Sequence, residues 1–221
     1  MFVMGFGEQI EHIILSLPEE RQTLMFSATF APNIVKLATK HLRNPERISI
    51  DNVASASPLI KQEVLEIREV DKFQTLCDQL DDREGSIIVF VKTKIGAEKL
   101  AIKLNAQDYG ASAIHGDLRQ HKRIKVINDF RRGKQRIMVA TDVAARGIDV
   151  PDIRHVINYD LPQCPDDYIH RIGRTGRAGA EGHAVCFVTP SDTGKWRAIH
   201  RMMNPGEKGQ DFPRHGGAGH E

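Results

Sequence analysis

The chain has 221 residues, which is enough for one full hydrophobic core and part of a second. Its formal net charge of +2 is too mild to indicate nucleic-acid binding by itself, and its longest apolar runs, such as residues 87–91, are far too short to span a bilayer. The three cysteines (Cys77, Cys164 and Cys186) have no C-x-x-C spacing, so they indicate neither a disulfide framework nor a zinc site and fit a reducing, cytoplasmic location.

The first fifty residues predict too few elements for a closed domain. Apolar periodicity predicts a helix over 7–16, a strand over 24–26, a helix over 32–41 and a strand over 47–50. Two strands and two helices cannot enclose a core. The small, polar residues that follow, 52–58, are typical of an interdomain linker.

A second series of elements, within residues 59–203, alternates short β-branched runs with amphipathic stretches. This alternation predicts an α/β fold in which a doubly wound parallel sheet carries helices on both faces. The predicted strands are 62–67, 86–91, 111–114, 136–140, 155–158 and 183–188, and the predicted helices are 72–79, 95–105, 120–131 and 166–172. Residues 204–221, rich in Gly, His and Pro, are predicted to be disordered.

Charge is distributed unevenly along the second series. Eight cations and a single acid, Asp129, lie between residues 119 and 136, and such a basic field suits a phosphate backbone. A solvated helix face is the open alternative. The cations are Arg119, Lys122, Arg123, Lys125, Arg131, Arg132, Lys134 and Arg136.

Residues 170–179, His-Arg-Ile-Gly-Arg-Thr-Gly-Arg-Ala-Gly, place Arg174 and Arg177 three residues apart in a glycine-rich loop after a short helix. A guanidinium can make bidentate contacts to phosphate oxygens, so the pair suits charge stabilisation on a transferring phosphoryl group. A surface loop with structural arginines is the alternative. The sequence holds no G-x-x-x-x-G-K-[ST] phosphate loop and no H-E-x-x-H cluster, and no metal site is predicted.

Five motifs in order resemble those of the DEAD-box RNA helicases of superfamily 2. Ser-Ala-Thr at 27–29 resembles motif III, residues 88–94 resemble motif IV, and His-Gly-Asp at 115–117 with its flank resembles motif IVa. Residues 140–149 resemble motif V and residues 170–179 resemble motif VI.

The resemblance implies two RecA-like domains, of which this chain carries the second completely and the first in part. Residues 1–51 would be the C-terminal remnant of the first domain, with the chain beginning just after motif II. ATP with Mg²⁺ is then the expected ligand, bound mainly by the part of the first domain that this sequence does not include.

For the nucleotide side, the resemblance makes Arg174 and Arg177 arginine fingers and gives His170 a linking role to the first domain. Gly147 would permit close backbone approach, and Asp149 would accept a hydrogen bond from the ATP ribose. A structural histidine at position 170 and a turn residue at position 149 remain alternatives.

For the RNA side, the resemblance assigns backbone contacts to a set of polar residues and implies largely sequence-independent binding. These are Thr93, Gly116, Gln120, Arg123 and Thr141. Ser27 and Thr29 would couple hydrolysis to strand separation, although both could be turn hydroxyls. Phe90 is predicted to be a core residue and Asp142 a helix N-cap.

The expected parent activity is ATP-dependent unwinding of short RNA duplexes or remodelling of RNA–protein complexes by a protein that is monomeric at full length. The chain alone is expected not to hydrolyse ATP. The alternative is a non-catalytic RNA-binding or regulatory half, or a split subunit that completes an N-terminal helicase half in trans.

Overall fold

The computed structural model describes residues 7–26, 32–48, 59–145, 153–177 and 179–204. The chain divides into two compact units, Met1–Val53 and Ala54–Glu221.

Among its described residues, the first unit contains two helices, α1 (Gly7–Leu15) and α2 (Pro32–His41), and an ion pair between Lys40 and Glu11 joins them. The predicted strand at 24–26 is wrong, since residues 21–26 form no strand. A strand needs a hydrogen-bonded neighbour, and Leu24 and Phe26 are instead 67% and 89% exposed. Of the strand predicted at 47–50, residues 47–48 are not in a strand, and 49–50 lie outside the described residues.

The second unit is built on one six-stranded, all-parallel sheet with strand order β1-β6-β5-β2-β4-β3. All six strands were predicted, and their observed bounds differ from the predictions by at most two residues. The strands are β1 (Ile60–Glu66), β2 (Ile87–Phe90), β3 (Ala111–Ile114), β4 (Ile137–Ala140), β5 (His155–Asn158) and β6 (Gly182–Val188).

Six helices accompany the sheet within the described residues. They are α3 (Lys72–Asp81), α4 (Lys94–Asn105), α5 (Gln120–Arg131), α6 (Asp142–Ala145), α7 (Pro165–Ile172) and α8 (Thr193–Met203). The sequence analysis did not predict α8, although Trp196 and Ile199, both buried, lie at helical spacing. Short 3₁₀ turns, Glu69–Asp71 and Pro190–Asp192, precede α3 and α8.

Both faces of the sheet are covered, as continuous apolar strands require. In β2, Ile87 and Val89 pack against α3 and α4, while Ile88 and Phe90 point to the other face, toward α5, α7 and α8. Phe90 is buried, which confirms its prediction as a core residue.

The parallel arrangement decides where a site can form. The carboxyl ends of all six strands lie at one edge of the sheet, so the loops that follow β2, β3, β4 and β5 gather there, the usual place for ligand binding in open α/β sheets. The motif residues Thr93, Gly116 and Thr141 lie in these loops or at their starts.

A histidine whose protonation destabilises the folded state, His155, lies at the opposite edge of the sheet, where the strands begin. His155 donates from Nε2 to the Glu84 carbonyl at 2.9 Å, and the centroid of its ring is 5.5 Å from that of His183. Burial, reinforced by the neighbouring charges of His183 and Arg83, lowers the pKa of His155 below its ordinary value. The folded state therefore binds this proton less readily than the unfolded chain does.

We expect the free energy of unfolding to fall as the pH drops below about 6.5, the pKa of an unperturbed histidine. In His155→Gln, which keeps a side-chain donor near the Glu84 carbonyl, this fall should be shallower. Urea unfolding across this pH range measures the difference, with the exposed His121→Gln as the matched control. Equal slopes in the original chain and in His155→Gln would contradict the assignment.

Candidate functional site

A crevice lies at the carboxyl ends of β2 and β4, beside α6 and α7. Its lining combines one apolar ring with acids, arginines and a histidine. The lining residues are Phe90, Asp142, Ala145, Asp167, His170, Arg171 and Arg174.

Arg171 is the centre of this region. It is only 2% exposed, and its guanidinium binds both carboxylate oxygens of Asp142, with Nε–Oδ1 at 2.6 Å and Nη2–Oδ2 at 2.8 Å. Nη1 donates to Asn158 Oδ1 at 3.0 Å and to the Asp160 carbonyl at 2.6 Å. The charged group also lies 4.9 Å from the centre of the Phe90 ring. One side chain of α7 therefore holds the ends of β4 and β5 together over β2.

Asp160 extends this network to the first residue of α3 and to the chain after β2. Its Oδ1 accepts from the buried Lys72 at 2.6 Å, and its Oδ2 accepts from the Lys92 backbone N–H at 3.0 Å. Lys72 Nζ also lies 4.6 Å from the centre of the Tyr159 ring. Because Lys92 immediately precedes Thr93, this network fixes the chain where the predicted RNA contact begins.

Arg174 and Arg177 follow the last turn of α7, and their Nε groups donate back to it. Arg174 donates to the His170 carbonyl at 3.2 Å, and Arg177 donates to the Gly173 carbonyl at 2.9 Å. Burial and the charge of Arg177 lower the pKa of Arg174, yet a guanidinium stays charged in proteins. The two arginines thus form a concentrated positive field, with Arg174 half-buried and Arg177 exposed.

His170 lies on α7 and lines the crevice beside Arg174. Its Nδ1 is 3.7 Å from Asp167 Oδ1. The structure therefore brings three motif residues, His170, Arg171 and Arg174, together at one crevice.

The loop that carries the arginines is anchored at its base. The buried Thr175 donates its hydroxyl to the Arg154 carbonyl at 2.8 Å. Gly176 has φ +67°, and a Cβ there would lie 2.6 Å from the Ile60 side chain. Gly182 is packed even more closely, since a Cβ there would lie 2.4 Å from Thr175 Oγ1. Glycine is required at both positions by the contacts that seat the loop on the sheet.

A second group of predicted residues lies around α4 and α5. Thr93 is the N-cap of α4, accepting from the Gly96 backbone N–H at 2.9 Å. Gly116 is exposed after β3, and Gln120 is the exposed first residue of α5. These three residues offer polar groups to solvent at the carboxyl edge of β2 and β3.

Helix α6 links the two groups. Thr141 is 7% exposed, and its carbonyl accepts from the backbone N–H groups of Ala144 and Ala145, so it stands at the start of the helix. Arg123 of α5 donates to the Ala144 carbonyl. The N-cap prediction for Asp142 is wrong, because Asp142 is the first residue of α6 and both its oxygens bind Arg171.

Only some cations of the basic segment, residues 119–136, make contacts within the fold. Arg136 donates to the Leu80 and Arg83 carbonyls, and Lys134 lies 3.9 Å from Asp129. Within residues 119–136, all of which the structure describes, Arg119, Lys122, Lys125 and Arg132 are exposed and form no ion pair.

Four predicted residues cannot be placed. Gly147 and Asp149, and the coupling residues Ser27 and Thr29, lie outside the described residues.

The sequence analysis missed the residues that organise the site: Arg171, Asn158, Asp160 and Lys72. Arg171 stands inside the arginine motif, but nothing in a linear sequence pairs it with a carboxylate 29 positions away. The available signal was the general rule that a charged residue on the buried face of a short helix needs a partner.

The part of the chain that the structure describes contains no cluster of three or more potential metal ligands. Among those same residues, no helix has the length and apolar character needed to cross a bilayer.

Comparison with known proteins agrees with this geometry. The family model described as "Helicase conserved C-terminal domain" matches residues 71–179. A DEAD-box ATP-dependent RNA helicase, CshA, from Geobacillus kaustophilus is 46% identical over 202 residues, covering 91% of this chain and 43% of the relative. CshA from Listeria monocytogenes is 44% identical over 200 residues, covering 90% and 38%. The chain thus spans less than half the length of these relatives.

Solved structures agree as well. Saccharomyces cerevisiae Dbp5 bound to RNA and ADP BeF3 superposes with a TM-score of 0.83 at 37% identity, over 92% of this chain and 54% of that one. The C-terminal domain of the DEAD-box protein Dbp5 gives a TM-score of 0.61 at 40% identity, over 67% of this chain and 88% of that one.

The all-parallel sheet and the arginine motif therefore define a RecA-like α/β helicase domain, as the sequence predicts. More particularly, the chain belongs to the DEAD-box family of RNA helicases and carries the C-terminal helicase domain of that family.

We expect Arg171→Leu to destabilise the second unit by about 3 kcal/mol or more, because Asp142 and Asn158 would lose a buried partner. Arg68→Leu, which breaks an exposed pair with Asp71, should change stability little. Chemical denaturation of both variants checks the contrast. Similar unfolding midpoints for Arg171→Leu and the original chain would refute the organising role of Arg171.

Proposed function

We propose that this chain is part of an ATP-dependent RNA helicase that unwinds short duplexes or remodels RNA–protein complexes. In that enzyme the chain would contact the phosphates of ATP and bind the RNA backbone. The observation that carries the proposal is the arginine loop, in which Arg174 lines a crevice beside the buried Arg171 network and Arg177 follows three residues later. The relatives that bear the helicase name are more than twice as long as this chain, so the whole activity is proposed for the complete protein.

The domain organisation belongs to this proposal. Residues 1–51 are the C-terminal part of a first RecA-like domain, 52–58 are a linker, 59–203 are the second RecA-like domain, and 204–221 are a tail. The two compact units support this division. Exposed apolar side chains in the first unit, among them Leu15 and Phe26, support the view that further protein covers it.

Arg174 and Arg177 act as arginine fingers toward the γ-phosphate of ATP. Guanidinium groups are donors only, so this donor set fits phosphate oxygens and not a cation. Mg²⁺ would accordingly be held by carboxylates elsewhere in the complete enzyme, where it neutralises phosphate charge. Asp149 remains the proposed ribose contact, Gly147 is proposed to permit close approach of the backbone to the nucleotide, and His170 is the proposed link to the first domain.

RNA binds along the edge formed by Thr93, Gly116, Gln120, Arg123 and Thr141. The exposed hydroxyl of Thr93, backbone of Gly116 and amide of Gln120 suit phosphate and sugar atoms, and Lys122 and Lys125 of α5 add a positive field. Helix α6 supports coupling between the two sites, because Asp142 binds Arg171 while the Ala144 carbonyl binds Arg123. Ser27 and Thr29 are proposed to extend this coupling to the first domain.

RNA binding by the chain should be weak and strongly salt-dependent. With about four phosphates contacted, raising salt from about 50 to about 200 mM should weaken binding about 50-fold. The double variant Lys122→Gln, Lys125→Gln should lower the logarithmic salt slope by about one to two. Fluorescence polarisation with labelled single-stranded RNA measures both, and Lys61→Gln, on edge strand β1, is the control. An affinity that does not respond to salt would refute the backbone-contact model.

ATP turnover tests the arginine fingers. The chain alone should show no RNA-stimulated hydrolysis, because it carries the arginines but no phosphate loop. In the complete protein, Arg177→Ala should lower kcat on the order of 10³-fold, while the exposed Arg201→Ala on α8 should leave it near the original value. Phosphate-release assays measure both. Turnover by the chain alone that Arg177→Ala abolishes would mean that a nucleotide site is contained within these residues.

A further inference from the structure

Strand β1 is one of the two edges of the sheet, and it is the less protected one. It pairs with β6 over seven consecutive positions, without a bulge and without a proline, whereas the other edge strand, β3, has only four residues. Long, regular edges are open to pairing with another strand, and proteins shield them with short strands, bulges, prolines or charges. Charged side chains are the protection that β1 retains, and they have both signs.

The backbone groups of alternate residues in β1 point away from the sheet. The Leu59 carbonyl accepts from the Gly182 N–H at 2.9 Å, and the Ile67 N–H donates to the Val188 carbonyl at 3.0 Å. The odd-numbered residues therefore bond to β6, and the N–H and carbonyl groups of residues 60, 62, 64 and 66 point outward. Among the described residues, no other strand lies beside them.

The side chains of β1 also leave this edge open. Lys61, Gln62 and Glu63 are exposed, whereas every residue of the central strand β2 is buried. Gln62 Oε1 accepts from the Tyr168 hydroxyl at 2.9 Å, and Glu63 Oε2 accepts from Arg83 at 2.9 Å. An incoming strand would therefore meet side chains that the fold has already oriented.

The chemical pattern of this edge is the same in both directions. Residues 59–65 are Leu-Ile-Lys-Gln-Glu-Val-Leu, which is two apolar residues, a base, an amide, an acid and two apolar residues. In an antiparallel pair of two copies centred on Gln62, Lys61 of each copy faces Glu63 of the other. Ile60 of each copy likewise faces Val64 of the other. Directly opposed charges of opposite sign and directly opposed apolar side chains both stabilise a pair of strands.

We propose that β1 pairs with β1 of a second copy of this chain, antiparallel and centred on Gln62, so that two sheets join edge to edge. The outward-facing residues 60, 62 and 64 of the two copies then exchange about six backbone hydrogen bonds. Each copy presents the same surface to the other, as a two-fold dimer requires.

The charges select this register over its neighbours. Centring the pair on Lys61 would place two lysines opposite each other, and centring it on Glu63 would place two glutamates opposite each other. Like charges in these positions are destabilising. Centring it on Val64 would leave Glu63 opposite Leu65, with no partner for the carboxylate.

The dimer is weak and depends on concentration. A strand of seven residues spans about 23 Å, so pairing along it buries less surface than a stable dimer needs. The protein is therefore still monomeric at low concentration. The proposal does not rest on the proposed function, because Gly116 and Gln120 follow β3, at the other end of the strand order.

Charge variants of the 221-residue chain test the pairing. In Lys61→Glu the dimer would oppose two acids at two places, and in Glu63→Lys it would oppose two bases at two places. Each variant alone should raise the dimer Kd about 10-fold or more. An equimolar mixture of the two variants restores both attractive pairs and should form a mixed dimer. Analytical ultracentrifugation from about 10 to about 500 µM measures these constants, a range suited to a weak dimer. Lys99→Glu, exposed on α4, is the matched control and should dimerise like the original chain.

Gln62→Pro tests the same pairing without a change of charge. It removes the outward N–H at the centre of the dimer and leaves the bonds to β6 in place, because proline is tolerated at an edge strand when its nitrogen faces solvent. This variant should not dimerise. Thermal melting of each variant establishes that the second unit is folded.

Three results would overturn the proposal. One is an original chain that stays monomeric at about 500 µM, the top of the range chosen for a weak dimer. Another is a dimer that Lys61→Glu, Glu63→Lys and Gln62→Pro all retain with the original Kd, since the contact would then lie elsewhere. The third is a mixture of the two charge variants that associates no better than either variant alone. RNA binding at the carboxyl edge is untouched by any of these results.

Discussion

The buried guanidinium of Arg171 is the constraint on which the second unit depends. A charge removed from water is tolerated only when its donors are satisfied, and here Asp142, Asn158 and Asp160 supply four oxygens to it. Those oxygens come from the ends of β4 and β5, so satisfying one side chain also fixes the geometry of the carboxyl edge of the sheet. Because Arg174 follows Arg171 by about one helical turn, the same arrangement also fixes the position of Arg174.

The parallel sheet places two groups of polar and charged residues side by side at the edge formed by the carboxyl ends of its strands. The α7 side gathers guanidinium groups around a narrow crevice, while the α4 and α5 side presents the exposed Thr93 hydroxyl and Gln120 amide. The four residues of α6 join the two regions, with a carboxylate bound on one side and a carbonyl bound on the other. A second connection runs through Asp160, which accepts from Arg171 with its carbonyl and from the Lys92 backbone N–H with its carboxylate.

Local chemistry explains what the sequence predicted and what it did not. Strands β2, β4, β5 and β6 were predicted because each is a short, mostly apolar run covered on both faces, so its hydrophobicity is a local property. The edge strands β1 and β3 are more exposed, and they were predicted from the alternation of strands and helices along the chain. The strand at 24–26 failed because an equally apolar run becomes a strand only beside a neighbour. The motif residues could be recognised one by one. The pairing of Arg171 with Asp142 could not, because it depends on which strands lie side by side, and that order is set by the whole chain.

The glycine at the start of β6 has a consequence for how this motif could be moved or redesigned. Gly182 touches no proposed ligand, yet Thr175 Oγ1 and the Gly176 backbone nitrogen occupy the space where its Cβ would stand, 2.4 and 2.6 Å away. The arginine segment and the first residue of β6 therefore form one interlocked part. Transplanting residues 170–179 into another α/β scaffold would fail unless the strand that follows also begins with glycine at this position. The sequence requirements of the motif at residues 170–179 therefore include a glycine that lies outside the motif, Gly182.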